Sequence, residues 1–180
     1  MKNIKTSYII VAVILLFVGG IVWSNSLKKG QVSETIEGVK QYTRTERGHV
    51  QGAVSYEENP PVGGKHSQTW VACNGNVYDT SVPNEQAVHA LEHGAVWISY
   101  QPTLSAEQID ALKKKVRGYT FMSPLAEQGA PVILTAWNNQ LSLQSADDPR
   151  VDQFLGKFRQ GPQTPEPGAT CNAVPGGMQG

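Results

Sequence analysis

The sequence lacks the short motifs that identify most enzyme classes. It contains no G-x-S-x-G, no phosphate-binding loop and no dinucleotide fingerprint, and its two cysteines give no zinc-finger spacing. Lysine plus arginine and aspartate plus glutamate each number 15, so the formal net charge is zero. Because no basic cluster is interleaved with aromatic residues, we expect no nucleic-acid partner. Any chemistry must then rest on the four histidines and their neighbours.

One long apolar run, residues 7–23, carries no charged side chain. Its roughly 17 residues are just enough to cross a bilayer as a helix. Lys2 and Lys5 precede it, which favours a cytoplasmic N-terminus over residues 1–6. A cleaved signal peptide or a buried helix are the alternatives, but no A-x-A cleavage site follows the run. We expect a single-pass anchor in the cell membrane, with the globular domain on the extracytoplasmic side.

The rest of the chain divides into a polar stalk over 24–47, a globular domain over 48–160 and a Gly/Pro-rich tail over 161–180. An exported domain meets an oxidising compartment, so we expect Cys73 and Cys171 to form a disulfide. Closing a loop of about 100 residues would constrain the unfolded chain by about 4–5 kcal/mol. Two free thiols, one buried and one on the tail, are the alternative.

Hydrophobic periodicity predicts a mixture of strands and helices. Alternation predicts a strand over His49–Tyr56, and Thr69–Cys73 is a second candidate before a turn. An Asn138-Asn139 pair predicts a hairpin, with positive φ at the second asparagine. We therefore expect an α+β fold, with a small mixed or antiparallel sheet and two or three helices. The further predicted strands are 95–100, 119–122, 130–137 and 140–144, and the helices begin after Pro83, Ser105 and Asp148.

The histidines form the most informative pattern. His89 and His93 are four residues apart on a predicted helix, so both imidazoles lie on one face and can converge on one metal ion. His66 lies in a stiff Pro/Gly loop, and His49 begins a predicted strand. Met122 could add a thioether. Imidazoles with a thioether favour copper, whereas three imidazoles with water equally suit zinc. The alternative is a polar helix surface, with Met122 as core filler.

The same helix matches the H-x-x-E-H pattern of inverted zinc proteases, through His89, Glu92 and His93. That mechanism needs a long helix and a further acidic ligand, but Gly94 is a natural helix stop immediately after the second histidine. We therefore interpret Glu92 as an outer partner that fixes an imidazole tautomer, or as a surface charge.

Several segments together resemble a known bacterial family, catalogued as domain of unknown function 3105. The most specific are the H-A-L-E-H-G segment at 89–94 and the P-P-x-x-G-x-H loop that ends at His66; the others are His49-Val50, Trp70 to Cys73, Val77-Tyr78-Asp79 and Ala136-Trp137. Val62-Gly63 and Lys65 depart from the usual loop pattern of that family. The resemblance covers about residues 48–171 and implies an exported domain behind one transmembrane segment. It also implies that all four histidines occupy motif positions.

Three functions fit these patterns. The first is an extracytoplasmic copper site of His66, His89 and His93, completed by Met122 or His49, for metal handling or electron transfer. Zinc is the alternative metal, and a metal donor or acceptor protein is the expected partner. The second is a non-catalytic structural or interaction module without metal. The third is a zinc hydrolase that uses Glu92. The sequence does not fix the oligomeric state.

Overall fold

The computed structural model describes residues 35–179. The predicted cytoplasmic segment, the predicted anchor over 7–23 and the first part of the stalk lie outside the described residues. Within residues 35–179, no helix combines the length and apolarity needed to cross a membrane.

A six-stranded mixed sheet forms the centre of the described chain, in the order β1-β6-β5-β3-β4-β2. β3 pairs in parallel with β4, and β4 in parallel with β2, while the other pairs are antiparallel. With three helices, this confirms the predicted mixed α+β fold. The strands are β1 Lys40–Gln41, β2 Asn74–Val77, β3 Val96–Tyr100, β4 Thr120–Pro124, β5 Val132–Ala136 and β6 Asn139–Leu143; the helices are α1 Asn84–Glu92, α2 Ala106–Lys113 and α3 Arg150–Phe158.

The predicted hairpin joins β5 to β6, but its turn lies one residue earlier than expected. Ala136 pairs with Asn139, so the two-residue loop is Trp137-Asn138. Asn138, and not Asn139, takes the positive φ, at 58°. The left-handed conformation is compatible with asparagine, whose short side chain bonds locally, so either residue of the pair could have filled this position.

Two predicted strands are wrong. His49–Tyr56 makes only an isolated parallel bridge between His49 and His66, and its chain then turns at Gly52 with a φ of 87°. Thr69–Cys73 is not a strand either, because β2 begins at Asn74, where the sequence predicted a turn. Both segments are instead irregular chain bonded to α1: the Val54 N–H donates to the Glu85 carboxylate and the Val71 N–H to the Gln86 carbonyl, and the second segment also bonds to the tail.

Side chains alternate between the two faces of the sheet, and each face has its own core. Trp97 and Phe121 point to the same face as the apolar residues of α1. Ile98 and Met122 point to the opposite face, which α2 and α3 cover. This alternation decides which of the predicted ligands can reach the histidines.

The tail is held against the α1 face of the sheet. Cys73 and Cys171 form the expected disulfide, with their Cα atoms 4.8 Å apart and a sequence separation of 98. The backbone N–H of Cys73 donates to the carbonyl of Cys171 at 2.9 Å, and that of Ala72 donates to Met178, also at 2.9 Å. The disulfide therefore fixes the Gly/Pro-rich tail beside the segment that precedes β2.

We expect the double substitution Cys73→Ala and Cys171→Ala to lower the free energy of unfolding by about 4–5 kcal/mol, because it releases a loop of 98 residues. Urea unfolding of the full chain measures the change. The unsubstituted chain in excess dithiothreitol should lose a similar amount. A loss below about 1 kcal/mol in both samples would contradict a stabilising role for this disulfide.

Candidate metal centre

Two distant loops bring His49 and His66 side by side. The residues form a short parallel bridge, in which Val50 N–H donates to the His66 carbonyl at 2.8 Å and His66 N–H donates to Gly48 at 3.1 Å. The two imidazole ring centroids are 4.9 Å apart. His66 is completely buried, whereas His49 is exposed. The pair thus has one ring inside the protein and one at the surface.

Helix α1 supplies His89 and Glu92 from its buried side. Residues three apart on a helix lie on the same face, and here both side chains are buried, at 4% and 3% exposure. The helix ends at Glu92, His93 is its C-terminal cap, and Gly94 follows with a φ of 89°. A side chain at Gly94 would overlap Gln160 and Thr164, so glycine is needed both for the turn and for the close approach of the tail.

Backbone carbonyls fix the tautomers of His66 and His89. Nδ1 of His66 lies 2.8 Å from the Gly64 carbonyl, and Nδ1 of His89 lies 2.7 Å from the Ser67 carbonyl. A carbonyl only accepts, so each Nδ1 carries the proton, and in the neutral ring Nε2 holds the lone pair. This arrangement is common around metal-ligating histidines, because it orients the ring and exposes Nε2.

The candidate ligand atoms lie close enough for one ion. One atom from each of His49, His66, His89 and Glu92 lies within 4.8 Å of all the others. Ligands at about 2.0–2.1 Å from a tetrahedral ion stand roughly 3.3–3.4 Å apart, so a pair at the 4.8 Å limit would have to close by about 1.5 Å when the ion binds.

The buried Nε2 of His66 lacks a satisfactory hydrogen bond. Glu92 Oε2 lies 3.0 Å away, but its direction does not meet hydrogen-bond geometry, and no other group within residues 35–179 bonds this nitrogen. A buried polar atom whose nearest partner is poorly directed is costly. A cation between the imidazoles and the carboxylate would satisfy both, so the residues fit a bound metal ion.

The pKa values of the two buried imidazoles, His89 and His66, are shifted in opposite directions. The pKa of His89 is lowered to about 4, chiefly by burial and also by the neighbouring imidazoles, although the hydrogen bond to the Ser67 carbonyl opposes the change. Burial also lowers the pKa of His66, but the carboxylate of Glu92 and the Gly64 carbonyl more than offset it, so its pKa is raised. Burial raises the pKa of Glu92, and His66 lowers it by more. His89 is thus held neutral and Glu92 anionic, as a metal ion requires, whereas the raised pKa of His66 favours its protonated form, so an ion that binds there would displace that proton.

His93 lies beside the group but is not one of its four members. Its ring centroid is 4.6 Å from that of His89, and its Nδ1 donates to the Thr170 carbonyl at 2.7 Å. Its Nε2 lies 3.9 Å from Glu166 Oε2 on the tail. Trp70 packs edge-on against both rings, with centroids 5.1 Å from His89 and 4.7 Å from His93. The four-member group therefore contains His89 and Glu92 from α1, while His93, the other predicted ligand of this segment, lies beside it.

Met122 is not near the imidazoles. It is buried in the core that α2 and α3 cover, while Phe121, its neighbour in β4, shares the other face with α1. Strand alternation sends these two side chains to opposite faces of the sheet. The expectation of a thioether ligand from Met122 is corrected by this placement, and its sulfur serves as core filler.

Sequence reasoning missed the residues that orient the rings. The carbonyls of Gly64, Ser67 and Thr170 carry no side-chain signature, so no motif could have identified them. Glu166 lies in the Pro/Gly-rich tail, where an isolated acidic residue resembles surface charge. The one available signal was the predicted disulfide, which places residue 170 beside the histidine-bearing half of the chain.

The fold and site define a small α+β domain with a buried histidine–glutamate group on one face of a mixed sheet. A family model described as protein of unknown function (DUF3105) matches residues 49–173. This is more than half of the 180 residues, so the chain belongs to that family, as the H-A-L-E-H-G segment implied. No curated protein and no solved structure matches the chain significantly.

For the metal-free chain, we expect the free energy of unfolding to fall as the pH drops from about 6.5 toward 4. In this window the unfolded chain binds a proton at His89 that the folded chain excludes, because the folded pKa is about 4 against an ordinary value of 6.5. His66 contributes the opposite trend above pH 6.5, where its raised pKa lets the folded chain hold a proton that the unfolded chain releases; below pH 6.5 this contribution is constant. Proton NMR of the imidazole C2–H signals, with chelator present, separates the two rings.

His89→Gln is the matched variant for this measurement. Urea unfolding at several pH values should show a shallower decline for the variant between pH 6.5 and 4. An NMR midpoint for His89 at or above 6.5 would contradict the buried, neutral assignment.

Proposed function

We propose that this chain is an extracytoplasmic metal-binding protein, whose centre holds one divalent transition-metal ion through His49, His66, His89 and Glu92. The observation that carries the proposal is the convergence of these four groups, which include a buried imidazole nitrogen whose contact with the Glu92 carboxylate, at 3.0 Å, is poorly directed for a hydrogen bond. Three imidazoles and one carboxylate suit zinc, copper(II) and related ions. When bound, the metal would supply positive charge at the point where the ligand atoms meet.

Copper(II) is the proposed metal, and zinc is the alternative. Sites of nitrogen and oxygen ligands bind copper(II) most tightly among the divalent first-row ions. The thioether that favoured copper in the sequence is absent from the centre, because Met122 lies on the other face of the sheet. Copper(I), which prefers soft sulfur ligands, is therefore a poorer match than copper(II).

The proposed location is the outer face of a membrane, with the anchor supplied by residues 7–23. The buried Cys73–Cys171 disulfide supports an oxidising compartment, because cytosolic thiols are usually kept reduced. The apolar run itself supports the anchor. A metal centre tethered there would capture an ion or exchange it with a donor or acceptor protein.

A structural role for the histidines is the second candidate function. The contact of His66 with Glu92 at 3.0 Å and the carbonyl bonds of His66 and His89 would hold loops to α1 without any metal. This reading predicts a melting temperature that neither copper nor a chelator changes. The zinc-hydrolase reading has less support, because the second histidine of its motif, His93, lies outside the group and Glu92 takes a ligand position.

The direct test is equilibrium loading of the full chain with copper(II) or zinc(II). We expect about one ion per chain, and a free energy of unfolding that rises by about 2.7 kcal/mol when the free metal is 100 times its dissociation constant. His89→Gln and Glu92→Gln should each weaken binding by more than about tenfold, since even outer partners of metal ligands cost 10–100-fold. Isothermal titration calorimetry and elemental analysis measure affinity and stoichiometry.

Met122→Leu is the control for these variants. It preserves core volume, so the chain should fold and bind metal as the unsubstituted chain does. Metal binding that is equal in the unsubstituted chain, His89→Gln and Glu92→Gln would overturn the proposed centre. A loss of affinity confined to Met122→Leu would restore the thioether site.

A further inference from the structure

His93 and Glu166 form a second position beside the proposed centre. Nε2 of His93 lies 3.9 Å from Oε2 of Glu166, and the Glu166 side chain is 54% exposed. The ring of His93 is itself only one helical turn from His89, with centroids 4.6 Å apart. The solvent-exposed carboxylate of Glu166 therefore lies next to the imidazole of His93, which in turn contacts the proposed ligand His89.

The imidazole at this position is oriented as the inner ones are. Its Nδ1 donates to the Thr170 carbonyl at 2.7 Å, so Nε2 of the neutral ring holds the lone pair on the Glu166 side. The carbonyl bond gives the ring the support that metal-ligating histidines usually have.

The tail holds Glu166 in place. Its backbone N–H donates to the Glu92 carbonyl at 3.0 Å, and the hydroxyl of Tyr119 donates to Ala169 at 3.0 Å further along the same segment. The Cys73–Cys171 disulfide fastens the tail just beyond it. The His93–Glu166 pair is therefore a product of the fold, although its carboxylate faces solvent.

We propose that His93 and Glu166 form an outer position that receives the metal ion and passes it to the inner group through His89. This inference rests on the proposed function and adds its loading route. Two protein ligands leave the remaining coordination positions to water, which suits brief binding, whereas the four inner groups suit retention. The exposed carboxylate also attracts cations to this end of the site.

The rival route runs past His49, which is the exposed member of the inner group. Trp70 covers His89 and His93 from one side, with ring centroids within 5.1 Å of both. An ion that enters at His49 would reach the inner group without meeting His93 or Glu166. The two routes thus predict different kinetic effects of the same substitutions.

Stopped-flow mixing of the metal-free full chain with copper(II) tests the route. Trp137 lies 6.2 Å from His66 between ring centroids, and Trp70 is close to His89, so quenching of tryptophan fluorescence reports arrival of the ion. We expect Glu166→Gln to slow association about tenfold, within the range that local charge gives. The ion passes this pair both when it enters and when it leaves, so loss of the pair raises the barrier in both directions. Dissociation should therefore slow by the same factor, and the dissociation constant should stay unchanged.

Two further variants complete the design. His93→Gln should slow both rates in the same way, while Glu127→Gln removes one exposed carboxylate elsewhere and should leave both rates unchanged. Circular dichroism and melting temperature verify folding of each variant.

Association at the unsubstituted rate in both Glu166→Gln and His93→Gln would overturn the outer position and assign loading to the His49 side. A weaker equilibrium affinity with unchanged association would also overturn it, because the pair would then belong to the inner coordination sphere. Absence of copper binding by the unsubstituted chain would instead overturn the proposed function on which the route depends.

Discussion

Hydrogen bonds from imidazole Nδ1–H groups to backbone carbonyls determine what each buried histidine can do. Gly64 and Ser67 fix the rings of His66 and His89, and each neutral ring then presents Nε2 to the same small volume. The two carbonyls and the ring of His66 belong to one irregular loop, whereas the ring of His89 belongs to α1. The arrangement therefore depends on the packing of this loop against α1. Loss of that packing would free the rings and leave buried polar atoms without partners.

The disulfide holds the tail against the histidine-bearing segment and so supports this packing. Cys171 pairs with Cys73, and the adjacent Thr170 carbonyl accepts from His93. Gly94 allows α1 to end where the tail crosses it, since its φ of 89° and the nearness of Gln160 exclude a side chain. The last turn of α1 and its cap residue therefore hold His89, Glu92 and His93 in fixed positions relative to the tail. The tail segment that they contact is about 80 residues further along the chain.

The sequence predicted much of this, but not the choice of ligands. Periodicity identified α1 and the β5–β6 hairpin, and the spacing of His89 and His93 indicated a shared helical face. It could not fix the rotation of α1 about its axis, which packing on the sheet sets so that Glu92, and not His93, faces His66. Nor could it fix the face of the sheet to which Met122 points. Which alternate residues of a strand face each side is set by its pairing with neighbouring strands and not by its own residues.

X-ray absorption spectroscopy of the copper-loaded full chain tests the central claim most directly, because it reports the atoms bound to the metal. The account predicts nitrogen and oxygen neighbours near 2.0–2.1 Å, outer scattering from two or three imidazole rings, and no sulfur near 2.3 Å. A sulfur neighbour, or a shell of oxygen without imidazole scattering, would contradict a centre built from His49, His66, His89 and Glu92.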